Sequence, residues 1–286
     1  MDTVSYKAPA KINLALNVVR KRADNYHEVR MVMVSIGLYD ELTLSRIKGS
    51  DIVLESDALG IPLNEDNLIY KAAALIKNKC GTIEGVKITL KKNIPVAAGL
   101  AGGSTDAAAT LKGMNELFDL GLSQKELRDL GVKLGADVPY CIMGGTALSE
   151  GIGEVLTPLK KMPECGILIA KPGIGVSTGY VYNAYDSLEE KYHPDVDAMI
   201  KAVENGDINL IADNLGNSLE GVTVKEHPVI GSIKEEMLKA GALGSLMSGS
   251  GPTVFGLFND REEAQYAAGI IKDTGLAKDI AVAGPV

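Results

Sequence analysis

The chain has 286 residues, 46% of them hydrophobic and 23% charged, values that suit a globular protein of one large domain or two smaller ones. No apolar run reaches the roughly 20 residues of a membrane-spanning helix, and the opening MDTVSYKAPAKINLALNV lacks the basic start and unbroken apolar core of a signal peptide, so a cytoplasmic protein without membrane contact is expected. A net charge of −8 argues against a broad nucleic-acid-binding face, but it leaves room for a small anionic ligand held by a local cluster of donors.

In chain order, AKINLALNVV alternates Ile12, Leu14, Leu16 and Val18 with Lys11, Asn13, Ala15 and Asn17, which predicts a strand with one apolar and one polar face. VRMVMVSIGL, DELTLSR, SDIVLES and VKITLKK read as further strands, and NEDNLIYKAAALIKNKCG, between the last two, as a helix ending at Gly81. A helix is expected from Ala107 to Leu117. Another is opened by a possible capping box, Ser123 and Glu126, with Leu127, Leu130 and Leu134 as its apolar stripe. Asp137 then falls just past a helix end, ahead of Pro139. GGTALSEGIGEVLTPL reads as a hairpin and CGILIAKP as a buried strand. Helical patterns follow around residues 178–190, 195–204 and 228–240, then GSLMSGSGPTVFGLF as strand, Gly/Ser turn and strand, a helix near 261–273 and a closing strand in DIAVAGPV. This mixture predicts an α+β protein with a boundary near residues 155–165. Cys80, Cys141 and Cys165 are expected to be buried free thiols, and neither they nor the three scattered histidines have metal-ligand spacing.

The stretch PVAAGLAGGSTDAAATL, residues 95–111, is the most suggestive. Gly99, Gly102 and Gly103 allow close backbone approach just before a helix start, where unpaired N–H groups and partial positive charge favour phosphate. Ser104 and Thr105 can donate hydroxyls or cap the helix. On composition alone a phosphate cradle and a plain strand–helix turn both fit. Neither G-x-x-x-x-G-K-[ST] nor the dinucleotide-binding G-x-G-x-x-G accounts for the stretch, and the phosphate-gripping lysine of a P-loop is missing from it.

Four separated segments, APAKINLALNV, PVAAGLAGGSTDAA, LGADVPYCIMGGTAL and LMSGSGPTVFGLF, together resemble the GHMP kinase superfamily over nearly the whole chain and in the right order. Within it, APAKINLALNVVRKRADNYHEV, GADVPYCIMGGTAL and KPGIGVSTGYVY resemble the branch that acts on 4-diphosphocytidyl-2-C-methyl-D-erythritol. Two positions depart from that branch: Asn25 stands where glycine is usual before Tyr-His, and Thr105 where a second serine is common. Asn tolerates positive φ, so the turn can survive.

The resemblance implies a two-domain GHMP kinase fold, with a ribosomal-protein-S5-like N-terminal domain over 1–158 and a ferredoxin-like α/β sandwich over 159–286. It implies transfer of the ATP γ-phosphoryl group to the 2-hydroxyl of the cytidine-diphosphate substrate, in non-mevalonate isoprenoid biosynthesis. ATP would lie along Pro95, Val96, Ala97, Ala98, Gly99, Leu100, Ala101, Gly102, Gly103, Ser104, Thr105 and Asp106, with Mg²⁺ whose ligands no motif names. Asp137 would be the general base, and Lys11, sitting beside it, would keep it ionised and steady the transferred charge. Tyr26 and His27 would bind the cytosine, with Tyr180 or Tyr182 closing its other side, and Asn13 and Thr178 would add contacts. The partners implied are the two small molecules, taken by a monomer or homodimer. Two other readings remain: a related kinase for mevalonate or homoserine, which has no need of Tyr26 and His27, and a silent nucleotide-binding regulator, which would be expected to lose Lys11 or Asp137.

Overall fold

A computed structural model describes residues 2–81 and 84–286. The chain divides into two compact units. The first comprises Met1–Ala10, Tyr39–Val96 and Ala101–Gly144, and the second comprises Lys11–Leu38, Ala97–Leu100 and Gly145–Val286. Two long strands, β1 (Thr3–Lys21) and β2 (His27–Ile47), contribute residues to both.

In the first unit, β3 (Ile52–Ser56) runs parallel to β4 (Gly85–Lys91), which pairs antiparallel with β2 from Glu41↔Lys91 to Ile47↔Gly85. Four helices complete this unit: α1 (Leu68–Cys80), α2 (Gly102–Leu117), α3 (Gln124–Gly131) and α4 (Val138–Met143). Asn67 caps α1 through the Ile69 N–H, and Ile69, Ala72, Ala73 and Ile76 form its buried stripe. Helix α2 packs against α1 and α4, burying Ala107, Ala108, Leu111, Met114 and Leu117. Gly113 allows α2 close to the sheet, since a Cβ there would come within 2.8 Å of a Leu44 methyl. The capping box of α3 forms as expected, with Leu127 and Leu130 buried; Leu134 lies beyond the end of the helix.

In the second unit, β1 turns into β2 through residues 22–26, with Asn25 at φ +66 as the departure from glycine requires. Strand β2 pairs with β5 (Thr146–Glu150), which forms the expected hairpin with β6 (Val155–Pro158). The other sheet holds β7 (Gly166–Lys171), β9 (Gly244–Met247), β10 (Val254–Phe258) and β11 (Asp279–Ala283), in the antiparallel order β11-β7-β10-β9. Helices α9 (Val229–Lys239) and α10 (Arg261–Thr274) touch each other and pack on this sheet, so they cover one face of it, the ferredoxin-like arrangement. Between β7 and β9 run α5 (Thr178–Asp186), α6 (Val196–Asn205), α7 (Ile208–Asp213) and α8 (Glu220–Glu226). The two-residue strand β8 (Gly216–Asn217) joins β1 in parallel.

Three expectations need correction, at β2, at the start of α2 and at Cys80. The stretches VRMVMVSIGL and DELTLSR form one continuous strand, β2, rather than two. On β1 the predicted polar face is covered, which the sequence had left open: Lys11 is 4% exposed and Asn13 fully buried. Helix α2 begins at Gly102, five residues earlier than expected, and α4 follows Asp137 directly. Cys141 and Cys165 are buried as expected, but Cys80 is exposed.

Candidate active site

The Gly-rich stretch leaves β4 through Asn93 and Ile94, whose N–H groups both donate to Asp40 Oδ1, at 2.6 and 2.8 Å. The backbone then takes positive φ at every second residue: Ala97 at +50, Gly99 at +73 and Ala101 at +57. Alternation of this kind turns successive N–H groups toward one side and makes an anion-binding concavity. Two of the three residues are alanines held in a disfavoured region, which is strain of a kind that clusters at functional sites. Helix α2 starts at once, with Ala101 at its N-cap and no side-chain cap, so Ser104 and Thr105 lie inside the first turn instead of capping it.

Within the second unit, Ala97–Leu100 is held from two directions. Leu100 O accepts from Lys11 N at 3.1 Å, and Gly99 O accepts from Ser248 Oγ at 3.0 Å. The segment SGSGP, residues 248–252, therefore packs beside the loop. Asn217 on β8 fixes that segment, donating from Nδ2 to Met247 O at 2.9 Å and Gly249 O at 2.7 Å. Lys11 Nζ donates to Asn13 Oδ1 at 2.6 Å, and a Cβ on Gly249 would stand 3.6 Å from that ammonium. A buried cation thus adjoins the glycine turns.

Within the first unit, a second lysine serves the start of α2. Lys92 Nζ pairs with Asp40 and, at 2.8 Å, with Asp106 Oδ2, and all three side chains are at most 8% exposed. A Cβ on Gly102 would come within 2.9 Å of this ammonium. Burial pushes the Asp106 carboxyl up to about 7, with Asp40 adding to the rise and Lys92 opposing it. Among the described residues, Thr105 Oγ1 and Asp106 Oδ1 are buried without a hydrogen-bond partner. The sequence reading missed Lys92 and Asp40, yet strand alternation carried a signal. Lys92 follows Val86, Ile88 and Leu90 on the buried phase of β4, and Asp40 precedes Leu42 and Leu44 on that of β2. Asp137, also in this unit, occupies the N-cap position of α4 with no side-chain capping bond, and its carbonyl accepts from Cys141 N at 3.0 Å. Lys11 and Asp137 are thus positioned by different units.

The chain as a whole is similar to known proteins. The model for the GHMP kinases N terminal domain matches residues 67–145, and that for GHMP kinases C terminal matches 199–275. The chain is 50% identical over 280 residues to a 4-diphosphocytidyl-2-C-methyl-D-erythritol kinase of Lachnospira eligens, covering 98% of this chain and 97% of that protein. This chain belongs to the GHMP kinase family. A relative of the same name from Lachnoclostridium phytofermentans is 52% identical over 93% of this chain and 92% of its own. A crystal structure of 4-(cytidine 5'-diphospho)-2C-methyl-D-erythritol kinase superposes with a TM-score of 0.84 at 33% identity, covering 99% of both chains.

A second cluster in this GHMP kinase lies within the second unit, along α5. Thr178, the first residue of α5, shares a 2.9 Å hydroxyl contact with Ser250 of the Gly/Ser turn. One turn on, the Tyr182 ring lies 4.7 Å from that of His27, tilted by 32°. The ring beside His27 is therefore that of Tyr182, while Tyr180 is 52% exposed. At the end of α5, Asp186 meets His27 Nε2 at 2.8 Å and Lys21 Nζ at 2.7 Å. Tyr26, one residue before His27, leaves 56% of its surface open to solvent. A helix rises about 1.5 Å per residue, so Thr178 and Asp186 are about 12 Å apart along the axis. One short helix thus runs from the glycine turns to an aromatic pair.

Proposed function

We propose that this chain is an ATP-dependent kinase that phosphorylates the 2-hydroxyl of 4-diphosphocytidyl-2-C-methyl-D-erythritol, a step of non-mevalonate isoprenoid biosynthesis. The observation that carries the reading is identity of about half of all residues, over nearly the entire chain, with enzymes of that name. The His27–Tyr182 pair supports it from the structure, since an aromatic pair on the substrate side suits a base and has no purpose for mevalonate or homoserine. The reading includes two domains, 1–158 and 159–286, and each family model falls within one of them. It also includes a cytoplasmic enzyme working on small molecules; among the described residues no helix is long and apolar enough to cross a membrane.

The chemistry divides among this chain's residues as follows. Along Pro95–Asp106, the backbone N–H groups that follow Pro95, in the alternating turn and first turn of α2, hold the ATP phosphates. The acceptor hydroxyl oxygen attacks the γ-phosphorus, the bond to the β–γ bridging oxygen breaks, ADP leaves, and the hydroxyl proton passes to the Asp137 carboxylate. Strong basicity is not required of the base, because the transition state is loose and the hydroxyl is held close. Lys11, desolvated and adjoining the glycine turns, stabilises charge on the transferred group. Tyr26, His27 and Tyr182 take the cytosine, and Asn13 and Thr178 contact the rest of the substrate.

No cluster of three or more His, Cys, Asp or Glu side chains among the described residues could cage a metal ion. Mg²⁺ does not require one, since it keeps waters and takes one or two carboxylates with substrate phosphates. The unpartnered Asp106 Oδ1 and Thr105 Oγ1, with Ser104 beside them, fit that demand. When bound, the ion offsets phosphate charge.

The deciding experiment measures ATP consumption with the cytidine-diphosphate substrate, mevalonate and homoserine in parallel. Turnover is expected with the first alone. Turnover confined to either of the others, or absent with all three, would defeat the reading.

A further inference from the structure

His27 is placed by two residues whose roles differ. Tyr182 covers its ring, and Asp186 binds its edge through Nε2 at 2.8 Å. Asp186 is in turn anchored by Lys21 through the other carboxylate oxygen. Although burial pushes the other way, the hydrogen bonds from Lys21 and His27 hold the Asp186 carboxyl below the usual carboxylate range, so it acts as an acceptor only. An acceptor on one ring nitrogen decides the tautomer, since the proton must sit on the nitrogen that faces it. In neutral His27 the proton is therefore on Nε2, and Nδ1 presents a lone pair. Nδ1 makes no hydrogen bond to the described residues.

Resting on the function proposed above, we infer that Asp186 is a positioning residue that selects cytosine over uracil by fixing His27 with Nδ1 as an acceptor. The two pyrimidines differ at two adjacent edge positions: at C4 cytosine carries an amino donor and uracil a carbonyl acceptor, and at N3 cytosine has a lone pair where uracil has an N–H; His27 Nδ1 is assigned to the C4 group. A lone pair at Nδ1 accepts from the C4 amino group and faces a second lone pair in the C4 carbonyl. A site built to hydrogen-bond one group rejects its isosteric opposite, because buried polar groups are left unpaired. Asp186 would act without touching the base, through the tautomer of the side chain that does.

The test uses the full chain and two readouts. ¹⁵N spectra of labelled imidazoles, at mildly alkaline pH, report the tautomer directly, and only His27, His193 and His227 contribute signals. His27 is expected as the Nε2–H form in the native chain and as a mixture in Asp186→Leu. In parallel, kcat/KM is measured with the cytidine substrate and its uridine counterpart. Asp186→Leu is expected to narrow the cytidine preference by about tenfold or more. Lys21→Met, which removes the other partner of the same carboxylate, should leave the preference unchanged. A purely structural Asp186 would lower both substrates by one common factor, and that result overturns the inference. So does a native Nδ1–H tautomer. Absence of turnover with both nucleotides would instead overturn the function, and the tautomer signal would still decide what Asp186 does to His27.

Discussion

Gly99 has a φ of +73, and a Cβ on it would fall on the carbonyl oxygen of Ser248. Two separate constraints therefore exclude any other residue. The positive φ alone costs an L-residue about 1–2 kcal/mol, and the clash is with backbone, which has no rotamer to change. Gly99→Ala should lower stability by about 2 kcal/mol or more, read from the urea midpoint at unchanged slope. It should also raise the KM for ATP, because the displaced Ser248 contact is one of the two that hold the turn. An alanine variant with native stability and native KM would show that the loop's shape is incidental. The neighbouring Ala97 and Ala101 accept positive φ without the second constraint, which is why the same conformation there tolerates a side chain.

At the scale of elements, β8 and the capping box of α3 make contrasting predictions. Asn217 is 2% exposed, and it uses Nδ2 on two carbonyls and Oδ1 on the Leu219 N–H at 2.9 Å. Asn217→Leu strands all three partners, each worth about 1–3 kcal/mol when buried and unsatisfied, so a loss of about 3 kcal/mol or more is expected in denaturant unfolding. A loss under about 0.5 kcal/mol, ordinary for a surface change, would refute that role. In α3, Ser123→Ala removes an N-cap and should cost about 1 kcal/mol with kcat unaltered. Part of the cap depends on charge. The Glu126 carboxyl is held below its ordinary range, first by the Ser123 N–H and then by the Ser123 hydroxyl. A depressed carboxyl contributes stability above its unfolded-state pKa and loses it as pH falls through the folded one. The gap between wild type and Ser123→Ala should therefore narrow in acid but not close, because the Glu126 N–H still reaches the serine oxygen. A gap that widened in acid would contradict the assignment.

Legibility in the sequence followed the same local rules. Strands and helices with several turns of clear period were readable, as in β4, α1 and α10. Helix α4 was not, since six residues hold too little periodicity to register. Strand β2 read as two because Tyr39 and Asp40 look like punctuation, yet the Asp40 charge is met by Lys92 and two backbone N–H groups, so the strand continues through it. The glycine loop stood out by its local pattern, which fitted a phosphate cradle and a plain turn alike, and Lys11 was singled out only through the family resemblance. Asp186 was not, because its partner His27 lies 159 positions away and nothing near Asp186 points to it.

For the whole molecule, folding and ligand binding are linked, and this separates holding phosphates from transferring them. A chain of net charge −8 that takes two anionic substrates must rely on oriented local donors, and these exist only in the folded state. A nucleotide at about a hundredfold excess over its Kd adds about 2.7 kcal/mol to folding, or roughly 5 °C in Tm for a chain of this length. A non-hydrolysable ATP analogue and cytidine diphosphate should each raise Tm, and together by nearly the sum. On the proposed division of roles, in which backbone N–H groups and the His27 cluster do the holding and Asp137 is the general base, Asp137→Asn should keep both shifts while turnover falls by about a thousandfold. Near-native turnover in that variant would remove Asp137 from proton transfer. A vanished ATP-analogue shift would instead place part of the phosphate grip on Asp137, contrary to a loop that binds through its own backbone.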